Sequence, residues 1–375
     1  MAKGSVPQGR DSKGLAALLA SPEIASLIAD LEATRWTGRP GYPIRTMVGM
    51  ALMKSLYALP TWTRTVRLVA EHDGLQAALR CRGNVPSIDA CYRFTAKLRA
   101  NGDALAACID AVLAGLHDAM PGMGTTVAID GSDLPAYANG QRYTKRNGPE
   151  RTRFSDPDAS WGHRSAVSTR KGGGYYGYKV HAAVCTTTGL PVAWQVETAS
   201  KNETPFVPGL LDRLTERGIT PEFAIMDKGY DVTPVYDACA TRGIRPIIAL
   251  RETKAVKDGM AEPIWCDHGT WTFAGADTKR QATKWRCPTG ECQPASLWEK
   301  ADRLHPLVPR TTERFGALYH RRSAVEREFG YIKHEWAMLP LRVRRLERVR
   351  LHVDLTVLTR LASALAKARA VPLAA

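Results

Sequence analysis

The stretch LYHRRSAVEREFGYIKHEW, Leu318 to Trp336, decides how the chain is read. At 100° per residue on a helix, Leu318, Val325, Phe329, Ile332 and Trp336 fall within about 60° of one another, a stripe that must be buried. Tyr319, Arg322, Glu326 and Lys333 fill an adjoining arc of about 60°, and Glu328 falls on the far side. Glu326 is therefore the carboxylate expected at the edge of the core, where an acid needs a cationic partner or a bound metal ion. A structural ion-pair network with Arg322, one turn earlier, and Lys333, two turns later, meets that need as well as a metal does.

Upstream of this helix the hydrophobic period changes to two. Thr126 to Ile129 reads as a short strand ending in Asp130, and Tyr176 to Cys185 with Pro191 to Glu197 reads as a hairpin turning at Thr188 and Gly189. A helix from about Thr204 to Arg217, a strand Phe223 to Met226 ending in Asp227, a helix near Pro234 to Arg242 and a strand Pro246 to Leu250 complete a mixed α/β pattern. Asp130 and Asp227 thus close two apolar strands, where such sheets place their sites. With Glu326 they make three hard oxygen ligands without an accompanying His or Cys, a set suited to Mg²⁺ or Mn²⁺. Two such ions activate a water or a 3′-hydroxyl and stabilise the leaving oxygen of a phosphodiester. Arg322 and Lys333 would then contact phosphates, with Tyr319 bonding or stacking beside them.

Charge points the same way. Fifty-two Lys and Arg against 37 Asp and Glu give the 375-residue chain a formal charge of +15, which favours polyanionic partners. From Arg142 to Lys179 nine basic residues face three acidic ones, and from Leu341 to Arg350 five arginines face only Glu347. With 44% hydrophobic and 24% charged residues the composition is that of a folded protein, long enough for two or three domains. The polar start, Met1 to Lys13, and the lack of an apolar run of about 18 residues predict a soluble cytoplasmic protein without a secretory signal. Cys81, Cys91, Cys108, Cys185 and Cys239 lie in helix- or strand-like settings and read as buried thiols.

The first 120 residues read as helical, most clearly at Ile24 to Leu31, Ile44 to Tyr57, Thr61 to Ala70 and Ser87 to Leu98. Pro60-Thr61 and Pro86-Ser87 each open a helix. The pair reads either as a helix-turn-helix presenting Arg64, Arg67, Arg93 and Lys97 to DNA or as an ordinary bundle with a solvated basic face. Between Arg251 and Ala317, aromatic residues among many Gly, Pro and Thr predict a small β-rich insertion.

Taken together, these motifs resemble a known family. The spacing Tyr319-x2-Arg322-x3-Glu326-x6-Lys333 is similar to the Tyr-Arg-Glu-Lys signature of bacterial insertion-sequence transposases with a DDE active site. Asp130-Gly131-Ser132 resembles that family's first-aspartate motif, and Asp227-Lys228-Gly229-Tyr230-Asp231 its second. Arg39-Pro40-Gly41-Tyr42-Pro43 through Pro86-Ser87 and Phe94 is similar to the helical domain that often precedes the catalytic one. The resemblance implies a ribonuclease H-like mixed sheet with flanking helices in residues 121–252 and 318–375, an all-helical N-terminal domain in 1–120, and a β-rich insertion in 253–317. It also implies two-metal cleavage and joining of double-stranded DNA at transposon ends, with a homodimer assembled on the DNA. A nuclease that cuts without joining is the alternative on the same fold, and a DNA-binding regulator without catalysis is the alternative from another class.

Several secondary motifs admit two readings. Cys266-x-His268 and Cys287-x4-Cys292 fit one structural Zn²⁺ by ligand type but lack the two-residue spacing of a zinc ribbon, so unligated thiols are the competing reading. Asp133 and Asp231, near the two catalytic candidates, read as turn or capping residues. Tyr176, Tyr178, Lys179 and His181 are read as one strand face, either toward DNA or solvated. Gly172 to Gly174 lacks the Gly-Lys-Ser or Gly-Lys-Thr ending of a nucleotide loop. On a final helix Arg344, Arg345, Arg348 and His352 are expected on one face toward DNA phosphates, opposite Leu346, Val349, Val353 and Val357. A membrane-surface helix is disfavoured because its apolar side lacks aromatics.

Overall fold

The computed structural model describes residues 11–34, 41–140, 154–164, 171–262 and 264–370. Arg39 and Pro40 of the first motif, and Arg142, Lys145, Arg146, Arg151, Arg153 and Arg170 of the basic stretch, lie outside them. Seven helices come first: α1 (Ser12–Ala20), α2 (Pro22–Ala33), α3 (Ile44–Leu56), α4 (Trp62–Glu71), α5 (Asp73–Leu79), α6 (Ile88–Ala100) and α7 (Gly102–Ala119). Their starts follow local chemistry. Asp11, Thr61 and Ser87 each turn a side-chain oxygen onto an otherwise unpaired N–H of α1, α4 and α6, and Pro22 opens α2. α3 is buried nearly throughout, and Gly49 lets Leu79 and Leu19 approach so closely that a Cβ there would lie 2.4 and 2.9 Å from their methyls. The expected two-helix unit is not formed by direct succession, because α5 stands between α4 and α6.

The sheet follows. Its strands are β1 (Thr126–Pro135), β2 (Ser160–Arg164), β3 (Gly173–Cys185), β4 (Pro191–Thr198), β5 (Phe223–Met226) and β6 (Arg245–Ile248), with α8 (Val207–Glu216) and α9 (Thr233–Ala240) flanking β5 in sequence. β3 pairs antiparallel with β1 on one side and with β4 on the other, and β5 and β6 extend the sheet in parallel beyond β1. β2 pairs with the first residues of β3, and Ser200 N donates to Ser160 Oγ where β2 meets the end of β4. Three antiparallel strands continued by two parallel ones form the ribonuclease H-like sheet expected from the sequence.

The insertion carries α10 (Lys254–Lys257), the hairpin β7 (Trp265–Cys266) and β8 (Gly269–Thr270), and a three-stranded sheet of β9 (Thr272–Asp277), β10 (Ala282–Arg286) and β11 (Ser296–Lys300). The chain returns through α11 (Glu313–His320), α12 (Ser323–Glu335) and α13 (Leu346–Ala370). α11 packs against β5 and β6, α12 across β1 and β3, and α13 against α3, α7 and β4, so that the helical region and the sheet share one continuous apolar core. The five cysteines read as buried thiols are buried and unpaired. No single helix among the described residues is long and apolar enough to cross a membrane.

Three expectations are corrected here. The helix from Leu318 to Trp336 is two helices: the N–H groups of Arg321 and Arg322 bond three residues back, and Ser323 Oγ donates to the His320 carbonyl, a local competition that breaks the run. Glu328 is not on an outer face. α13 covers it, Arg360 donates to it at 3.1 Å, and burial still pushes its pKa up to about 7. The last helix begins only at Leu346, so Arg344 and Arg345 precede it, while His352 is turned inward against the Met338 carbonyl at 3.1 Å and burial lowers its pKa to about 3.

Asp231 and Asp133 are not turn residues either. Asp231 is fully buried and accepts from Arg251 N at 2.9 Å, Tyr236 Oη at 3.0 Å and Arg303 Nη1 at 2.7 Å, with Arg310 3.7 Å away. Arg310 in turn bonds the Ile248 carbonyl and Glu262. One carboxylate thus gathers both ends of the insertion. Asp231→Asn leaves buried guanidinium groups without their counter-charge and should destabilise the protein by about 3 kcal/mol in denaturant titration, with new protease cuts near Arg251 and Arg303. Loss of less than about 0.5 kcal/mol would show the cluster to be dispensable.

Glu262 gives a pH test of the same neck. Burial raises its pKa to about 7 although the Arg310 N–H and guanidinium both donate to it. The folded protein therefore holds that proton where the unfolded chain has released it, and the associated stability is lost as pH rises from about 4.5 to about 7. Melting temperature should fall over that window, and Glu262→Gln should reduce the fall; an identical profile in the variant would contradict the assignment.

Candidate active site

The site starts from strand register. β1 and β5 run parallel with Thr126 opposite Phe223 and Ala128 opposite Ile225. Continued two residues further, the register sets Asp130 beside Asp227, on neighbouring strands about 4.8 Å apart. Each aspartate is steadied by a backbone N–H: Gly131 donates to Asp130 Oδ1 at 2.8 Å, and Gly229 to Asp227 Oδ1 at 2.7 Å, where Asp227 caps the 3₁₀ turn Lys228–Tyr230. Burial raises the Asp130 pKa to about 7, the negative charges of Glu203 and Asp227 add to this, and the Gly131 N–H and Arg322 oppose it.

Glu326 reaches the site from the first turns of α12. Its side chain is 53% exposed and accepts from Arg322 Nη2 at 2.9 Å. Arg322 is close enough to Asp130 and Tyr319 to feel both; burial works against its charge, but Glu326, Tyr319 and Asp130 more than offset that and raise its pKa. Tyr319, at the end of α11, stacks on Phe315 at 5.7 Å and lies within electrostatic reach of Asp227 and Glu326. The break between the two helices thus sets Arg322 at the start of α12, between acids from strand and helix. Among the described residues these carboxylates do not form a set of oxygens mutually within 4.8 Å, as three sulfurs of the insertion do.

Two neighbours escape the sequence reading. Glu203, just after β4, accepts from Lys179 Nζ at 2.7 Å and packs so tightly on Gly131 that a Cβ there would be 2.9 Å from its oxygen. Tyr230 is buried with its hydroxyl toward Glu203, and burial, followed by the charges of Glu203, Asp130 and Asp227, raises its pKa far above the usual value. Tyr230 lies inside the motif Asp227-Lys228-Gly229-Tyr230-Asp231, so a signal was present. Glu203 carries none in a single sequence beyond an acid following a strand.

Other expected DNA contacts are placed differently. Lys333 is 9% exposed in its side chain, and its Nζ lies 2.8 Å from Ser132 Oγ and 3.4 Å from Asp133 Oδ1, with Arg164 on the other oxygen of Asp133 at 3.3 Å. Asp133 is therefore an anchor between β1, β2 and α12. Lys179 is held by Glu203. Tyr176 and Tyr178 point to the opposite side of β3 from Lys179 and His181, as period two requires, and reach Asp156 at 2.7 and 2.8 Å. His181 is buried, stacks on Phe206 at 4.5 Å, and has its pKa lowered to about 4 by burial. This face is neither solvated nor open to DNA. Arg344 is exposed, donates to the Tyr137 carbonyl and, like Arg342, lies over the Tyr137 ring. Arg345 has a left-handed backbone (φ 77°) fixed by its N–H to Asp156, and with Arg348 and Arg350 it lines an open groove beside Asp158.

Comparison with known proteins bears on this arrangement. No curated protein matches the chain. Among solved structures, a piggyBac transposase synaptic complex with hairpin DNA aligns with a TM-score of 0.42 and 12% identity over 96% of this chain and 75% of that one, a likeness too low to carry geometry across. The family model for the transposase DDE domain matches residues 121–361, a span that starts just before β1 and ends within α13 and so contains all three acids. That match covers more than half of the chain, which therefore belongs to the DDE transposase family.

Proposed function

We propose that this transposase binds the ends of its element as double-stranded DNA and cleaves and joins strands with two divalent ions, Mg²⁺ or Mn²⁺, held by Asp130, Asp227 and Glu326. The observation that carries the reading is the parallel β1–β5 register, whose continuation brings Asp130 beside Asp227, two like charges whose repulsion a bound cation would relieve. The donor chemistry fits: all three ligands are hard oxygens, and the imidazole of His181, against Gly131, is buried. Bound ions would supply an activated water or 3′-hydroxyl and charge stabilisation at the leaving oxygen.

The chain's own residues do the rest. Arg322 neutralises the acids and is positioned to turn toward a phosphate. Tyr319, packed on Phe315, orients the backbone beside it. Lys333 holds Ser132 and Asp133, and so fixes β1 against α12; any phosphate contact requires it to leave them. Lys179 supports the site through Glu203. Arg344, Arg345 and Arg348, outside the acid cluster, supply a basic surface for phosphates beyond the cleaved bond. The protein is proposed to act in the cytoplasm, on nucleoid DNA.

Strand cleavage and joining on end-containing DNA with Mg²⁺ tests this directly. Asp130→Asn, Asp227→Asn and Glu326→Gln should each stop the chemistry while leaving end binding and its salt dependence nearly unchanged, because an amide oxygen ligates Mg²⁺ poorly. Arg348→Ala should keep the chemistry but lower affinity and reduce the log–log salt slope by roughly one. Full activity in Asp130→Asn would refute the ligand assignment, and cleavage without any joining would favour the nuclease alternative.

Both ends of an element must be processed together, so we propose a homodimer on paired ends. Size-exclusion chromatography with light scattering should give two chains per complex on paired-end DNA. A single chain on that DNA would refute it.

A further inference from the structure

The insertion has too little core to hold its shape. Trp271, Trp285 and Cys287 form an apolar cluster separate from the main core, with Ile264, Cys266, Cys292 and Leu297 packed against them, while Trp265 and Trp298 remain exposed. Among the described residues the hairpin β7–β8 and the sheet β9–β10–β11 share no ladder hydrogen bonds. A module this small ordinarily needs a cross-link or a metal.

Sulfur joins the two parts. Cys266 lies on β7, Cys287 immediately after β10, and Cys292 in the turn that leads to β11. Their three sulfur atoms lie within 4.8 Å of one another, and those of Cys266 and Cys287 are 4.0 Å apart. A tetrahedral zinc with bonds of about 2.3 Å spaces its sulfurs about 3.8 Å apart, whereas a disulfide requires about 2.05 Å. Three converging thiols match three corners of the first arrangement. His268 occupies the turn of the β7–β8 hairpin, and its Nδ1 lies 3.2 Å from a carboxylate oxygen of Glu291, the residue before Cys292. A carboxylate on Nδ1 fixes the tautomer that leaves the Nε2 lone pair available, the usual outer support of a metal-bound imidazole.

We propose that Cys266, Cys287 and Cys292 bind one structural Zn²⁺, with His268 Nε2 turning in as the fourth ligand. Strand pairing supplies what the linear spacing lacks, because the hairpin carries Cys266 and His268 to the end of β10. Binding takes the cysteines as thiolates and releases their protons to solvent. The ion would pin the hairpin to the three-stranded sheet, separately from the oxygen ligands proposed for Mg²⁺, which are too hard to compete for it.

The test uses the full chain purified under reducing conditions without chelator. Elemental analysis should find one zinc per chain, lost in Cys287→Ser and Cys292→Ser but kept in Cys81→Ser, which alters a buried thiol of the helical region. To keep the result independent of folding in the cysteine variants, the wild-type chain is also stripped and titrated with Co²⁺. Expected are thiolate-to-metal charge-transfer absorption and a tetrahedral ligand-field spectrum that shifts in His268→Ala. Chelation should open residues 253–317 to protease before the rest of the chain. A metal-free wild-type protein with no charge-transfer band on Co²⁺ addition would overturn the proposal. So would zinc retained in Cys287→Ser, and an unshifted cobalt spectrum in His268→Ala would overturn the fourth ligand.

Discussion

The buried carboxylate of Asp231 holds together two stretches of chain that the insertion pulls apart. Arg251 leaves the sheet on one side of it, Arg303 and Arg310 return on the other, and Tyr236 fixes it to α9. Because α11 and α12 follow directly from that junction, the position of Arg322 and Glu326 relative to the strand aspartates depends on it, although Asp231 is itself no part of the acid cluster. The arrangement explains how 98 residues between Asp227 and Glu326 are accommodated without loosening the site: the excursion is closed at its neck, and only the neck needs to be rigid.

At the site the dominant constraint is crowding of like charge. Burial raises the cost of ionising Asp130, and the negative charges of Glu203 and Asp227 add to it. Arg322 is the internal counter-charge, and its bond to Glu326 draws that side chain to the same place. Under the proposed function a phosphate entering the site would compete with Glu326 for the same guanidinium, coupling ligand and helix acid through one residue.

Most of the sheet was legible, since Thr126 to Ile129 and Phe223 to Met226 are short apolar runs and the two strands around Gly189 are rich in Val, Ala and aromatic residues on either side of a turn. The acids were legible because each follows such a run or lies on an amphipathic helix. What escaped reading was tertiary. Nothing local says that α13 will cover Glu328, that Ser323 will win the competition for the His320 carbonyl, or that Lys333 will be buried against Asp133. β2 went unread because Ser160 to Arg164 carries a single apolar residue, Trp161, and gains its strand form from pairing with β3. The assumption of one continuous helix carried Tyr319 across a break that the structure puts after it, yet Arg322 does stand one turn before Glu326, as expected, because the break falls before Arg322.

The placement of α13 also bears on how the chain comes to be folded as it is made. Its residues Val349, Val353, Val357, Leu361 and Leu365 belong to the same apolar core as the first helices, and Arg369 pairs with Glu23 on α2. A ribosome-bound fragment ending before Leu346 therefore exposes the apolar faces of α3 and α7, however well its strands have paired. The earliest-made helices must wait for one of the latest, which makes premature termination yield sticky, protease-sensitive chains and not a working DNA-binding fragment.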